Sequence, residues 1–109
     1  MIFASLMGPN NMPPIEATYL NCPVIITNLE GHKEQLANSA LYFNGYKPME
    51  LANHIKTLLT SKAKRSALIS KQKPLAKKFD KINYFETINK IIDEYALIRN
   101  TWGEDFIHL

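Results

Sequence analysis

The sequence has few of the residues that build covalent or metal-bound frameworks. It contains a single cysteine, Cys22, in 109 residues, so an internal disulfide is excluded. No Cys-x-x-Cys pair and no cluster of histidine and cysteine points to a metal ion. We therefore predict no metal site and assign no cofactor. Cys22 is interpreted as a small buried thiol, which fits a protein of the reducing cytoplasm.

Long hydrophobic runs are also missing. No apolar run approaches the roughly 18 residues of a membrane-spanning helix. Residues 1–7 lack a basic start and run into Gly8-Pro9, which is unlike a signal peptide. Hydrophobic residues make up 46% of the chain and charged residues 21%, as in a soluble globular protein. A chain of this length forms one domain at most and buries a modest core.

The charge excess is small, with a formal net charge of +3. Part of it lies in three short basic segments, at 62–65, 71–73 and 77–78. We interpret these segments as the solvated face of helices. A nucleic-acid partner would rest on charge alone, so we predict none.

Apolar runs and turn residues predict an α/β fold with a helical C-terminal part. Three short strands are expected at 1–4, 23–27 and 40–43, and the β-branched run at 23–27 is typical of a strand covered on both faces. Helical segments between the strands imply parallel pairing with right-handed crossovers. Such strands form half of a doubly wound sheet with an unpaired edge. Because the first apolar run begins at residue 1 with no turn before it, we predict a chain that begins mid-fold.

The helices are predicted from apolar spacing and from proline and turn residues. Pro74 predicts a kink or break near Lys73, and Asp80 or Asn83 is expected to open the last helix. A turn is expected at 28–31. The predicted helices cover residues 13–20, 32–36, 48–59, 62–79 and 84–100.

The stretch from Ser5 to Ala17 joins the first strand to the first helix through a loop rich in Gly, Pro and Asn. Pro13 and Pro14 suit the first turn of a helix. Free backbone N–H groups and the helix dipole at such a start favour a negative ligand. Glu16 lies close to this start, where the dipole alone would favour a carboxylate, or where it could contact a ligand.

The order and spacing of several segments resemble a known family. They are Phe3-Ala4-Ser5-Leu6, Met12-Pro13-Pro14-Ile15-Glu16-Ala17, Asn21-Cys22-Pro23-Val24-Ile25, residues 28–36, Asn38-Ser39-Ala40-Leu41-Tyr42-Phe43, Pro48-Met49-Glu50-Leu51-Ala52 and Lys77-Lys78-Phe79. Together they resemble the C-terminal, donor-binding domain of retaining GT-B glycosyltransferases of the group 1 family. The resemblance covers about residues 3–95.

The resemblance implies a Rossmann-like domain that binds a nucleotide-diphosphate sugar. The family carries a pair of glutamates in this loop and helix. The second matches Glu16 and implies hydrogen bonds to the ribose hydroxyls. The first falls at Gly8, near the donor sugar. The resemblance places the backbone of Asn10, Asn11 and Met12 against the donor sugar and phosphates, with Asn10 or Asn11 as a replacement for the missing glutamate.

The same resemblance sets expectations for the whole chain. Residues 1–109 would form a partial donor-binding domain, with a strand and loop core at 1–46 and a helical part at 47–109. The family's acceptor domain, and the strands that bring Arg and Lys to the diphosphate, would be missing. Sugar transfer with retention to a hydroxyl acceptor is therefore predicted only with a protein partner or a second copy, and no catalytic residue is assigned. The alternative is a non-catalytic remnant or interaction module that pairs with another chain.

The other candidate side chains are given structural roles. His32 is interpreted as a surface histidine in a loop, and His54 as a residue opposite the apolar stripe of its helix. Glu34 is either a helix-start carboxylate or a residue facing a cleft. Tyr42 and Phe43 are interpreted as core residues of a strand.

Overall fold

The computed structural model describes residues 1–8, 11–79 and 81–102. Three parallel strands form one sheet in the order β1-β2-β3. They are β1 (Ile2–Phe3), β2 (Val24–Thr27) and β3 (Ala40–Phe43). The helices are α1 (Met12–Tyr19), α2 (Glu30–Leu36), α3 (Pro48–Thr60), α4 (Lys62–Lys78) and α5 (Lys81–Asn100). The predicted α/β fold with three parallel strands is confirmed.

Several predicted bounds differ from those of the structure, most of them by one or two residues. The predicted turn at 28–31 is wrong in its second half, because the Lys33 N–H donates to Leu29 O at 3.1 Å and α2 already begins at Glu30. No break occurs near Lys73, since α4 continues through Pro74. The last helix begins at Lys81, so Asn83 does not open it, and Asp80 lies outside the described residues.

The sheet separates two apolar clusters, because successive side chains of β2 point to opposite faces. Val24 and Ile26 pack in the cluster on the face that α1 and α2 cover, with Ala17, Leu36 and Ala40. Ile25 packs on the opposite face in a cluster with Phe43, Leu58 and Leu68 from β3, α3 and α4. Phe43 is buried and Tyr42 half-buried, which confirms that both are core residues of a strand. Cys22 is half-buried beside the first cluster.

A buried glutamine connects α4 to the sheet. Gln72 is fully buried, and its Nε2 donates to Cys22 O at 3.1 Å and to Ser39 O at 3.4 Å. These carbonyls lie just before β2 and β3, at the amino ends of the two strands. The side chain therefore holds α4 against the edge of the sheet opposite to the strands' carboxyl ends.

The contacts divide the chain into two compact units, residues 1–77 and 78–109. The first unit contains the sheet, α1, α2 and α3. The second contains α5, whose apolar side chains recur at three- and four-residue steps and are largely exposed. They include Tyr84, Phe85, Ile88, Ile91, Ile92, Tyr95 and Ile98. In the part of the chain that the structure describes, no helix combines the length and apolarity needed to cross a bilayer.

Candidate functional site

The carboxyl ends of the strands are held together by hydrogen bonds between neighbouring loops. The Thr27 hydroxyl at the end of β2 donates to Ser5 O in the loop after β1. The Asn28 N–H donates to Phe43 O at 2.8 Å, which joins the loop after β2 to the end of β3. In parallel sheets ligands bind in the crevice outside these strand ends. This edge of the sheet is therefore the candidate site.

The loop after β1 lies against the loop after β3. A Cβ atom on Gly45 would collide with Leu6 Cδ2 and come within 3.6 Å of Thr27 Cγ2. The absence of a side chain at Gly45 allows Leu6 to lie there. Leu6 itself is half-exposed, so it lines the surface of this edge.

Gly8 adopts a backbone conformation that other residues rarely take. Its φ is +100°, in the region that favours glycine. A Cβ at this position would lie 2.8 Å from Asn11 Oδ1 and 3.2 Å from Asn11 Nδ2. The position where the resemblance places a glutamate is thus shaped for glycine in this chain. Gly8 is exposed, so its backbone faces solvent at the candidate site.

The side chain of Asn11 is turned back into the loop. Its Nδ2 donates to Gly8 O at 3.0 Å and lies 2.9 Å from His32 Nε2. On the other side of the imidazole, Nδ1 lies 2.9 Å from Thr27 O and 3.2 Å from Thr27 Oγ1. A chain of polar contacts therefore runs from the end of β2 to the loop before α1.

A second residue of α2 holds the same asparagine. Gln35 Nε2 donates to Asn11 O at 2.8 Å, and Gln35 is buried. His32 and Gln35 are one helical turn apart, so both side chains point to the same side of α2. Asn11 is the N-cap residue that directly precedes α1, and its side chain makes no capping hydrogen bond with that helix. The start of α1 is positioned by α2.

The predicted position of His32 is wrong. It was expected on the surface of a loop, but it is fully buried. Because α2 begins at Glu30 rather than at residue 32, His32 lies on the inner face of the helix with Gln35 and Leu36. Its ring also packs edge-on against Phe3, with centroids 5.9 Å apart.

Glu16 and Met12 lie on the exposed side of α1. They are four residues apart and share one face of the helix, whereas Pro14, Ala17 and Thr18 form the buried face. The Glu16 carboxylate has no hydrogen bond or ion pair with any residue in 1–8, 11–79 or 81–102. Met12 is 62% exposed. Both side chains are therefore available to a ligand at the start of α1.

The start of α1 offers fewer backbone donors than the sequence analysis expected. The helix begins at Met12, and the next two residues are Pro13 and Pro14, which have no N–H. In the first three positions of the helix only Met12 can donate. An anion there would be held by the dipole and one helical donor, together with other groups of the loop.

The structure brings four of the five predicted ligand residues to one edge of the sheet. Gly8, Asn11, Met12 and Glu16 lie in the loop and the first two turns of α1, and Asn10 lies outside the described residues. Sequence reasoning missed three supporting residues, Thr27, His32 and Gln35. The spacing of His32, Gln35 and Leu36 is that of one helix face, and this signal could have found the inner side of α2.

Two further side chains stabilise the elements around the site. The Tyr42 hydroxyl donates to Ala37 O at 2.6 Å, and burial raises the pKa of Tyr42 to about 12. His54 was expected opposite the apolar stripe of its helix, but it is half-buried and its Nε2 donates to Tyr42 O at 2.9 Å. Both contacts join helices to β3.

The three parallel strands and their crossover helices define a Rossmann-like α/β protein, and its candidate ligand site lies at the carboxyl ends of the strands. The model of the family described as glycosyl transferases group 1 matches residues 1–74, which is more than half of the chain. The chain belongs to this family, whose general activity is glycosyl transfer. Comparisons with curated proteins and with solved structures gave no significant match.

Proposed function

We propose that the chain binds a nucleotide-diphosphate sugar, as the donor-binding part of a retaining GT-B glycosyltransferase that acts on a hydroxyl acceptor. Family membership supports glycosyl transfer in general. The observation that carries the donor site is Glu16, an exposed carboxylate without a protein partner among the described residues, near the start of α1. Residues 1–109 would together form a partial donor-binding domain of a cytoplasmic protein.

Glu16 is proposed to hold the ribose of the nucleotide. A carboxylate accepts hydrogen bonds at both oxygens, so it can bind two neighbouring hydroxyls at once. Hydrogen bonds to a charged acceptor are stronger than neutral ones, and a partner-free carboxylate has no protein contact to give up first. Met12 shares this face and would lie beside the same ligand.

The loop from Gly8 to Met12 is proposed to contact the sugar and the phosphates. Gly8 brings backbone close to the ligand without a side chain, and α1 directs its positive dipole end toward the same place. Asn10 belongs to this proposal through its position in the sequence. Asn11 contributes its backbone, because its side-chain nitrogen Nδ2 is already hydrogen-bonded to Gly8 O and to His32 Nε2.

We expect the positive charges that neutralise the diphosphate to come from residues outside the donor loop and outside residues 1–32. No Lys or Arg precedes Lys33, so residues 1–32 bring no permanent positive side chain to the loop. Stabilising the charge that develops on the leaving diphosphate is the main electrostatic demand of sugar transfer. We therefore expect this chain to bind the donor and to turn it over only with a protein partner or a second copy.

Donor binding is tested by titrating the full chain with UDP, GDP and their sugars while recording amide NMR spectra. Shifts at Gly8, Asn11, Met12 and Glu16 support the proposal. Glu16→Gln should weaken binding by roughly tenfold, because it removes the charge from the ribose contact. Glu86→Gln on α5 is the matched control, an exposed carboxylate far along the chain, and should change nothing. Unchanged spectra around residues 8–16 with every nucleotide would reject the proposal.

A second candidate function is an interaction module that pairs with another chain. The observation that favours it is the apolar face of α5, where Tyr84, Phe85, Ile91 and Ile92 are each more than half exposed. Exposed apolar side chains at helical spacing are typical of a face that packs against a partner. Size-exclusion chromatography with light scattering measures the oligomeric state and tests this candidate. A stable monomer would count against it. If an oligomer forms through this face of α5, Ile91→Glu should dissociate it.

A further inference from the structure

The polar chain Thr27–His32–Asn11 lies beside the proposed donor loop and links it to the end of β2. We propose that His32 is a positioning residue, whose neutral Nδ1–H tautomer holds Asn11, and through it the Gly8 carbonyl, in the geometry that presents the loop to its ligand. The inference deepens the proposed function and rests on it for the identity of the ligand. The hydrogen-bond roles of the groups around the ring carry it.

The tautomer of His32 follows from its partner at Nδ1. A backbone carbonyl can only accept, so Thr27 O at 2.9 Å requires a proton on Nδ1. In the neutral ring Nε2 then has no proton and accepts a hydrogen bond. The group 2.9 Å from Nε2 is Asn11 Nδ2, which is a donor.

The orientation of the Asn11 amide is fixed independently of the histidine. Gly8 O lies 3.0 Å from the same Nδ2 and can also only accept. One NH₂ group therefore donates both of its hydrogens, one to Gly8 O and one to His32 Nε2. The carbonyl oxygens of Thr27 and Gly8 lie at opposite ends of this polar chain of side chains, and together they determine every donor and acceptor between them.

Protonation of His32 would reverse the role of Nε2. Both ring nitrogens of the cation donate, so Nε2–H would face the NH₂ of Asn11. The Asn11 amide could offer Oδ1 to the ring only if it rotated by 180°. Oδ1 would then face Gly8 O, and two acceptors would lie opposite each other. The bond that closes the loop would be lost. Acid should therefore break the hydrogen bond between Asn11 and Gly8 O.

The other groups around His32 do not produce this response. Phe3 and Thr27, which touch the ring, do not ionise. From β3, the hydroxyl of Tyr42 lies 3.5 Å from His32 O, and it is neutral throughout an acid titration because burial raises its pKa, ordinarily 10.0, further to about 12. On α2 itself the flanking charges Glu30, Lys33 and Glu34 are exposed.

The first test uses the unliganded full chain and needs no variant. Long-range ¹⁵N spectra of the imidazole should show the Nδ1–H tautomer at neutral pH. During acid titration the amide resonances of Gly8 and Asn11 should shift with the same midpoint as the His32 Cε1–H. The inference would be overturned if the ring were the Nε2–H tautomer, or if the Gly8 and Asn11 amide resonances did not change as His32 titrates.

Variants test which groups carry the effect. Asn11→Asp offers only acceptors and cannot donate to Gly8 O, so this contact should be lost at neutral pH and the Gly8 amide should no longer follow the titration of His32. His32→Gln retains an acceptor without a titrating ring and should remove the pH response. His54→Gln is the matched control, since His54 also donates to a backbone carbonyl, and it should leave the response unchanged. A Gly8 amide that still follows the titration of His32 in Asn11→Asp would contradict the proposal.

Nucleotide binding separates this inference from the proposed function. Acid titration of the natural chain should weaken UDP or GDP binding on the order of fivefold to tenfold, the value of about one hydrogen bond. If no nucleotide binds but the loop follows His32, the donor site is rejected and the positioning role stands. If a nucleotide binds equally whether His32 is charged or neutral, the positioning role is rejected and the donor site stands.

Discussion

The first two strand-to-helix connections, from β1 to α1 and from β2 to α2, differ in length and in what they expose. The connection from β1 to α1 spans residues 4–11, and its Leu6, Met7 and Gly8 are exposed. The connection from β2 to α2 is only Asn28 and Leu29, and α2 then buries His32 and Gln35. The short connection places α2 directly after β2, and that helix holds the long loop through Asn11. The ligand-facing segment thus derives its geometry from its neighbour.

The largest effect is expected from breaking the long loop at Gly8. Gly8→Glu introduces the acidic residue that the resemblance places there, yet the φ of +100° strains any side chain, and Asn11 would have to move because the new Cβ would lie 2.8 Å from its Oδ1. We expect about 1–3 kcal/mol of local strain and release of Asn11. Nucleotide binding should fall at least as far as in Glu16→Gln.

Nucleotide titrations and urea unfolding measure this effect. Gly8→Ala is the matched control, because it has the same backbone strain without the carboxylate. Both variants should lose the amide pattern of the Gly8–Asn11 segment. Tighter binding of a nucleotide sugar by Gly8→Glu at unchanged stability would show that the loop does not depend on its glycine.

The next effect concerns the rigid side of the comparison, where Tyr42 holds the end of α2. Tyr42→Phe removes the hydroxyl that donates to Ala37 O and should lower the free energy of unfolding by about 1 kcal/mol. Urea unfolding at neutral pH measures this loss. Tyr46→Phe, at an 84% exposed tyrosine, is the control and should have little effect.

The same tyrosine makes stability depend on alkaline pH. The pKa of Tyr42 is 10.0 in the unfolded chain and about 12 in the fold, so between these values the unfolded chain loses the proton first. Stability should be fully retained below pH 10 and should fall as pH rises toward 12. In Tyr42→Phe the part of this fall that Tyr42 causes should disappear. If the stability of Tyr42→Phe fell equally between pH 10 and 12, the loss would come from groups other than Tyr42.

The smallest effect is a gain at the end of α2. Ala37 has φ of +46°, a region that glycine tolerates better than alanine. Ala37→Gly should raise the free energy of unfolding by about 0.5 kcal/mol, because relief of strain exceeds the added freedom of the unfolded chain. Ala52→Gly inside α3 is the control with the opposite sign and should cost about 1 kcal/mol. Loss of stability in Ala37→Gly would refute the strain.

The sequence predicted the architecture well because apolar runs and turn residues are local signals. The run at 24–27 and the strand at 40–43 follow directly from them. Glu16 was singled out through the resemblance, and its role as a ligand residue stays a prediction. The link between His32 and Asn11 could not be predicted, since it joins residues 21 positions apart. A two-residue shift in the start of α2 was enough to move His32 from the expected surface into the core.

Gln72 has a consequence for the order in which the fold assembles. Its bond to Cys22 O joins residues 50 positions apart in the sequence, whereas the strand pairs and crossover helices involve much shorter separations. Closing so long a segment costs conformational entropy that only a formed binding surface can offset. We therefore expect the sheet with α1 and α2 to form first and α4 to dock late. Thermal or chemical stress should detach this helix before it opens the strands.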